Sequence, residues 1–498
     1  MRKKIVVIFL ILIITNLPYL FALLMQGEDL IFGGFLLNPI DGYSYLAKMQ
    51  IGRMGEWTFK LLYSPPGGNG AFIFLFYIAL GHISRITGLS PILVFHCGRL
   101  IASILLLIAL YRLCSWAIQD RAVAFRAWLL ASLGSGLGWM AFPIVGLTSD
   151  LWVAEAYPWL SMFSSPHFTL ALAITCWVIP LIGTRVTVKQ VILLGVLGLL
   201  EAGLMPFAVV TLGVVAGATV IWKFMVTKEI FWRAILAFFI PALVYLGYQY
   251  IAIINDPMLA EWNRQNITDA PPWWDFIIAF SPALVLALVM VVKNSETGGR
   301  DENKVFVLWI ILGAIIVYIP FALQRRFMFG YYIPTALMAM MLLSKYKGYR
   351  RLSFLLILSS TLTNIVLLAL FTFGILNHNE KYYFTHEEGE FLACIHLASV
   401  EDDVIAAPEA LGLLIPAFSG RHVMLGHPME SVNSTDIQEK IQTYYNGETT
   451  ISVLENACSC EIDFVVIPAN ALGLIGEGIS ADDYVCKSSE YFLFDIKQ

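Results

Sequence analysis

Residues 5–25 run without a single charge, and apolar stretches like this recur along most of the chain. A helix rises 1.5 Å per residue, so about twenty residues cross a hydrocarbon layer of about 30 Å. The apolar blocks predict about eleven transmembrane helices, at residues 5–25, 91–113, 124–146, 166–183, 190–205, 206–222, 234–254, 276–292, 305–321, 327–344 and 353–375. A further apolar stretch, 71–88, is predicted to lie on, or dip into, the outer membrane surface. Counting it as a span would reverse the side of every later loop, and His82 and Arg85 suit an interfacial helix. Beyond residue 375 the pattern changes. Short apolar runs at 404–406, 422–425, 462–467 and 491–496 read as strands, with helices at 391–397, 409–418 and 435–445 among them. Thr385 and Glu388 have the spacing of a capping box. Alternating strands and helices predict a small α/β unit with a largely parallel sheet. The fold class is mostly α: a polytopic helix bundle over 1–375, with outer loops 26–90 and 147–165, then an α/β domain over 376–498.

Composition supports the membrane reading. The chain is 58% hydrophobic and 13% charged, against roughly 25% charged in a soluble domain. Basic residues set the orientation. With Arg2, Lys3 and Lys4 counted, the inner side receives eighteen Lys and Arg, among them Arg112, Arg185, Lys223, Arg300 and Arg350. Only eight others precede the tail. The N-terminus is thus expected in the cytoplasm of a multi-pass cell-membrane protein. Leu23-Leu24-Met25-Gln26 lacks the small residues of a signal-peptide cleavage site, so the first span is read as retained. The tail holds twenty acidic and five basic residues, suits water, and is placed outside the cell. Cys394, Cys458, Cys460 and Cys486 lie there, where three full disulfide pairings and no pairing at all are both open. The tail has no phosphate loop, and with a net charge of −5 no nucleic-acid partner is expected.

No internal repeat of the transporter kind stands out, and mid-span ionisable residues are few: His96, Arg99 and Glu201. The unusual polar groups gather at the outer face. The first outer loop carries Asp41-Gly42-Tyr43-Ser44-Tyr45-Leu46-Ala47-Lys48, then Arg53-Met54-Gly55-Glu56-Trp57. Tyr45 and Lys48 follow Asp41 at i+4 and i+7, on one helix face. Such a carboxylate is either a general base or a helix cap, and Lys48 and Arg53 suit an anionic headgroup.

Asp41-x-x-x-Tyr45 followed by Gly55-x-Trp57 resembles the first outer loop of the GT-C membrane glycosyltransferases, in particular the lipid A aminoarabinose transferases and the protein O-mannosyltransferases. The resemblance implies a catalytic acid at Asp41, a polyprenyl-phosphate sugar as donor, an outward-facing site, and surface-lying helices after the loop. It implies a second acid in the next outer loop, matched by Glu155, with His167 of Ser165-Pro166-His167-Phe168 close behind. Arg325 or Arg326 of Gln324-Arg325-Arg326-Phe327 would hold the lipid phosphate with Lys48 or Arg53, and Tyr45 would line the substrate. Direct displacement with inversion is the expected chemistry. A divalent cation is compatible with it, although no metal motif is present. Arg421-His422-Val423 and Gly426-His427-Pro428 also look like those of prokaryotic members. The chain departs from the pattern at Gly42, where many relatives have a second acid, at Ser44, where a basic residue is usual, and at Tyr63-Ser64-Pro65-Pro66, which replaces an acidic-lysine-proline element. Trp273-Trp274-Asp275 is read as an aromatic belt. Besides the donor, the partners implied are membrane lipids and an acceptor whose kind is open. The competing readings are a non-catalytic transporter or flippase of a lipid-linked sugar, and a surface receptor or assembly protein acting through the tail.

Overall fold

The computed structural model describes residues 2–229, 231–296, 303–474 and 483–496; Arg300 of the expected inner loops lies outside them. Helices stand at all eleven apolar stretches. Seven helices are long and apolar enough to cross a membrane, or up to eight if the pair Trp273–Phe280 and Ala283–Lys293, bent by 90°, is one span. The count of eleven is therefore not confirmed among the described residues. Length is the reason. Lys304–Val317 has fourteen residues, about 21 Å of helix, short of the roughly 30 Å of hydrocarbon. The stretch 124–146 holds a break between Arg121–Leu133 and Gly138–Val145, yet is long enough as a whole to count among the seven. At the break, a side chain on Gly136 would strike the Ala279 carbonyl oxygen.

The chain divides into two compact units that cross the linear order of the sequence. One comprises Met1–Leu20, His96–Gly247 and Ile267–Gly374, and contains most of the membrane helices. Within it Arg99 is buried and its guanidinium is fully engaged. It donates to the carbonyls of Thr15, Met162 and Phe163 and to Asn16 Oδ1, and stacks 4.1 Å from the Tyr19 ring. This mid-span charge is a structural tie between helices, not an ion path.

The other unit comprises Phe21–Phe95, Tyr248–Asn266 and Ile375–Gln498, so the first outer loop and the tail share one hydrophobic core. Strand β1 (Leu30–Phe32) pairs antiparallel with β2 (Tyr383–Thr385). Strands β3 (Val404–Ala406), β4 (His422–Val423), β5 (Phe464–Pro468), β6 (Cys486–Lys487) and β7 (Tyr491–Asp495) form a sheet in the order β4-β3-β5-β7-β6. β3 is parallel to β4 and β5, whereas β7 is antiparallel to both β5 and β6. The sheet is mixed, not largely parallel. The three residues from Ser488 to Glu490 between β6 and β7 admit only a hairpin. The capping box of Thr385 and Glu388 is formed at the start of His386–Ala398. Cys394 is bonded to Cys486, and Cys458 to Cys460.

The stretch 71–88 forms the helix Leu75–Thr87, thirteen residues long and too short to span. It packs backbone to backbone on the helix Pro39–Met54. A Cβ on Gly52 would lie 1.9 Å from Ile78 O, and one on Gly81 2.0 Å from Met49 O, so only glycine permits this approach. Trp57 stacks on His82 at 4.1 Å and so ties the end of the loop to the same helix.

Candidate active site

The helix Pro39–Met54 starts with proline at its first turn, after Asn38 in the left-handed conformation, and ends at Gly55, also left-handed. Asp41 is therefore the third helical residue, not the cap, and its charge sits at the positive end of the helix. Its side chain is about half exposed, at 49%. Gly42 faces the ring of Phe35, where a Cβ would lie 2.2 Å from Cγ. This explains why no second acid follows Asp41. Tyr45, one turn on, stacks on Tyr77 at 4.4 Å.

The tail brings a histidine to Asp41. His427 Nε2 lies 3.8 Å from Asp41 Oδ1, with the imidazole 4% exposed. That distance is an ion-pair separation and too long for a hydrogen bond. The Met429 N–H donates to His427 Nδ1 at 3.1 Å, which leaves the proton of the neutral ring on Nε2. The loop carrying it is closely fixed. Gly426 N–H donates to Ser431 Oγ, and Ser431 N–H to the His427 carbonyl. Ser64 donates to the Glu430 carbonyl at 3.0 Å and accepts from Val432 N–H at 2.9 Å. Tyr63-Ser64-Pro65-Pro66 thus holds the tail loop. His422 reinforces it through Nδ1 to the Ser64 carbonyl, and burial pushes this imidazole below its ordinary pKa. Arg421 has a similar supporting role, donating to the carbonyls of His396 and Ser399.

Lys48 does not offer its charge to a headgroup. It is 2% exposed, and its ammonium donates to Glu430 Oε1 at 2.7 Å and to Ser44 Oγ at 2.5 Å. Ser44 Oγ in turn donates to Glu430 Oε1 at 2.5 Å. Burial alone would raise the Glu430 pKa, but the charge of Lys48 and the hydrogen bonds from Lys48 and Ser44 outweigh it and hold the carboxyl below its usual range. A basic residue at position 44 has no room in this arrangement. Arg53 is exposed in the last turn, twelve residues from Asp41 and about 18 Å along the helix. Lys48 and Arg53 therefore do not join Asp41 at one point.

Glu155, His167, Arg325 and Arg326 belong to the other unit. Glu155 lies on the 3₁₀ turn Ala154–Ala156 and is buried, with Oε1 accepting from Arg326 Nη1 at 3.1 Å. Its carbonyl accepts from Gly330 N–H at 2.9 Å, so both ends of the residue bind the later loop. Arg325 stacks 4.4 Å from the Trp152 ring. His167 is buried at the start of Pro166–Val178, against Phe168. Asp275 is more than a belt residue: it accepts from both Ser149 N–H and Ser149 Oγ, while Trp273 is exposed. Asp150 accepts from Gly138 N–H and Thr148 Oγ1, and burial pushes its pKa up to about 6.

Glu430 and the role of His427 escape sequence reasoning. His427 stood out only as part of Gly426-His427-Pro428. Nothing local marks Glu430 among the tail's many acids; an acid three residues after a histidine in a loop flanked by apolar runs is the only signal. Among the described residues no group of three His, Cys, Asp or Glu gathers to hold a metal ion.

No family model matches the sequence, and no curated protein matches it. Solved structures are similar to it in fold. The Archaeoglobus fulgidus oligosaccharyltransferase, tethered with an acceptor peptide, aligns at a TM-score of 0.54 and 11% identity over 93% of this chain and 69% of that one. ArnT from Cupriavidus metallidurans bound to undecaprenyl phosphate aligns at 0.51 and 10% identity over 97% of each chain. Archaeal AglB from Archaeoglobus fulgidus, in complex with an inhibitory peptide and a dolichol-phosphate, aligns at 0.51 and 11% identity over 93% and 69%. The fold of this chain is thus similar to those of the oligosaccharyltransferase and ArnT structures.

Proposed function

We propose that this protein is a membrane glycosyltransferase that moves a sugar from a polyprenyl-phosphate donor to an acceptor at the outer face of the cell membrane. The fold supports the class, since the neighbours include ArnT with undecaprenyl phosphate and AglB with a dolichol-phosphate. The observation that carries the reading is the half-exposed carboxylate of Asp41 at the start of a helix whose neighbouring polar groups are otherwise buried. A general base needs such access. In the proposed step the acceptor attacks the anomeric carbon, the bond from that carbon to the phosphate oxygen breaks, and the proton passes to Asp41. The leaving phosphate takes the electron pair, and configuration inverts.

Of the basic residues first considered for the phosphate, Lys48 and Arg326 serve buried carboxylates. Arg325, stacked on the Trp152 ring, is the remaining candidate of the pair, since a guanidinium suits bidentate phosphate binding. Glu155 then orients Arg326 and the loop that carries Arg325. The basic bias of the inner loops supports an N-terminus in the cytoplasm and a tail outside. Incubation of the purified protein with labelled polyprenyl-phosphate sugars tests the reading. Release of polyprenyl phosphate with transfer of the label is expected; a protein that only moves the intact donor between leaflets would instead be a flippase.

A further inference from the structure

The gap between Asp41 and His427 has a chemical signature. One side is a carboxylate oxygen, which accepts hydrogen bonds. The other is Nε2 of a nearly buried imidazole, whose proton is fixed there by the Met429 N–H on Nδ1. Nε2 has no hydrogen-bond partner among the described residues, and a buried donor left so is costly. The two atoms are 3.8 Å apart, so a single oxygen can sit at hydrogen-bond distance, about 2.8 Å, from both. That oxygen must donate to Asp41 and accept from His427. A hydroxyl does both through one atom. A phosphate oxygen accepts only and is repelled by the carboxylate, an ammonium donates only, and an amide nitrogen has no lone pair free to accept.

Resting on the transferase reading, we infer that Asp41 and His427 together form the acceptor clamp, and that the acceptor enters through a hydroxyl group, not an amide nitrogen. The hydroxyl proton points at Asp41. One oxygen lone pair accepts from His427 Nε2–H, and the other is left facing the anomeric carbon. As the new carbon–oxygen bond forms, the bond to phosphate breaks and the proton passes to Asp41. In this step His427 neither gains nor loses a proton. The neighbouring carboxylate of Glu430 does not compete for Nε2, because Lys48 and Ser44 engage it.

The test uses the full-length protein in nanodiscs with a labelled polyprenyl-phosphate sugar that the wild type turns over. The acceptors are water, a methyl glycoside, a serine peptide and an asparagine peptide. Label is expected on the hydroxyl acceptors or in water. His427→Asn keeps an acceptor for Met429 N–H but loses the Nε2 donor, and should slow this transfer by about tenfold with the donor KM and melting temperature unchanged. His427→Gln and His427→Met are matched in size and both lose the ring. Only the first retains a donor, so it should be the faster of the two by a similar factor even if both are less stable. Equal rates for His427→Asn and wild type, equal rates for the Gln and Met variants, or label on the asparagine amide overturns the clamp while leaving the transferase reading intact. A wild type that turns over none of the lipid-linked donors overturns that reading and the clamp with it.

Discussion

Lys48 Nζ and Glu430 Oε1 lie 2.7 Å apart, and neither side chain is appreciably open to water. One belongs to the first outer loop and the other to the tail, so the helix that carries Asp41 is held by residues almost at the other end of the chain. Ser44, between Asp41 and Lys48 on the same helix, adds a second bond to the same carboxylate oxygen. The tail is therefore part of the scaffold of the candidate site.

Removing one partner of a buried ion pair strands the other charge, at a cost of about 3–5 kcal/mol. Lys48→Met and Glu430→Gln are each expected to lower the melting temperature of the detergent-solubilised protein, and Lys48→Met with Glu430→Leu should recover much of the loss. The pH dependence has a definite sign. The folded Glu430 carboxyl titrates below its unfolded value of 4.5, so its contribution is fully present above about pH 4.5 and is lost as pH falls through the folded value. Melting curves of wild type and Glu430→Gln should run parallel from pH 5 to 8 and converge in acid. Curves that stay parallel below pH 4 would mean that the pair adds nothing.

The two adjacent arginines should behave differently. Arg326→Ala leaves Glu155 buried and unneutralised and is expected to destabilise the protein. Arg325→Ala should cost about 0.5–2 kcal/mol of stability, the scale of a partly buried cation–π contact, but weaken donor binding by roughly tenfold. Thermal shift and binding of polyprenyl phosphate, measured on both variants, separate the roles. Normal donor affinity in Arg325→Ala would make that residue an interfacial anchor.

Gly42 is predicted to tolerate no side chain. Phe35 is nearly fully buried, against Tyr43 and Phe95 at 5.8 and 5.2 Å, so its ring cannot swing aside freely. Gly42→Ala should cost about 1–3 kcal/mol through overpacking, despite the better helix propensity of alanine. A stability equal to or above wild type would show that the ring yields.

Much of this was legible in the residues. Each of the eleven apolar blocks carries a helix, and the four expected tail strands and the capping box appear within a few residues of their expected places, whereas Pro257–Gln265 and the strands Tyr383–Thr385 and Cys486–Lys487 escape sequence reasoning. What failed depends on long-range geometry. Lys304–Val317 ends short of a full span, and no local pattern reveals that. Lys48 reads as a headgroup ligand because its partner is 382 residues away. Asp41 reads as a cap until Asn38 is seen to hold that position. Within the site, the sequence singles out Asp41, Tyr45 and Lys48, but not Glu430 or the placing of His427 beside Asp41.

Orientation follows from loop charge alone and is directly testable. In a background without the free cysteines Cys97, Cys114 and Cys176, Glu448→Cys should react with a membrane-impermeant maleimide on intact cells, and Lys347→Cys only after permeabilisation. Both positions are exposed to solvent. The reverse pattern would invert the topology and move the proposed reaction to the cytoplasmic face.

Asp41→Asn tests the chemistry itself. Asp41 sits in the first turn of Pro39–Met54, while Asn38 occupies the cap and makes no side-chain cap bond, so loss of a cap cannot explain a defect at position 41. What Asp41 gives the helix is the interaction of its charge with the positive end, about 0.3–1 kcal/mol. Asparagine forfeits that small term and cannot take a proton. Loss of a general base slows turnover by about 10²–10⁴-fold, whereas a change of 1 kcal/mol in stability leaves the folded fraction nearly unchanged at assay temperature. The expected variant is folded, binds the donor with near-normal affinity, and transfers almost no sugar. Asp41→Glu, which keeps the carboxylate but moves it by about one bond, should recover part of the rate. If Asp41→Asn transfers sugar at close to the wild-type rate, the base lies elsewhere and Asp41 is only a charge at a helix end.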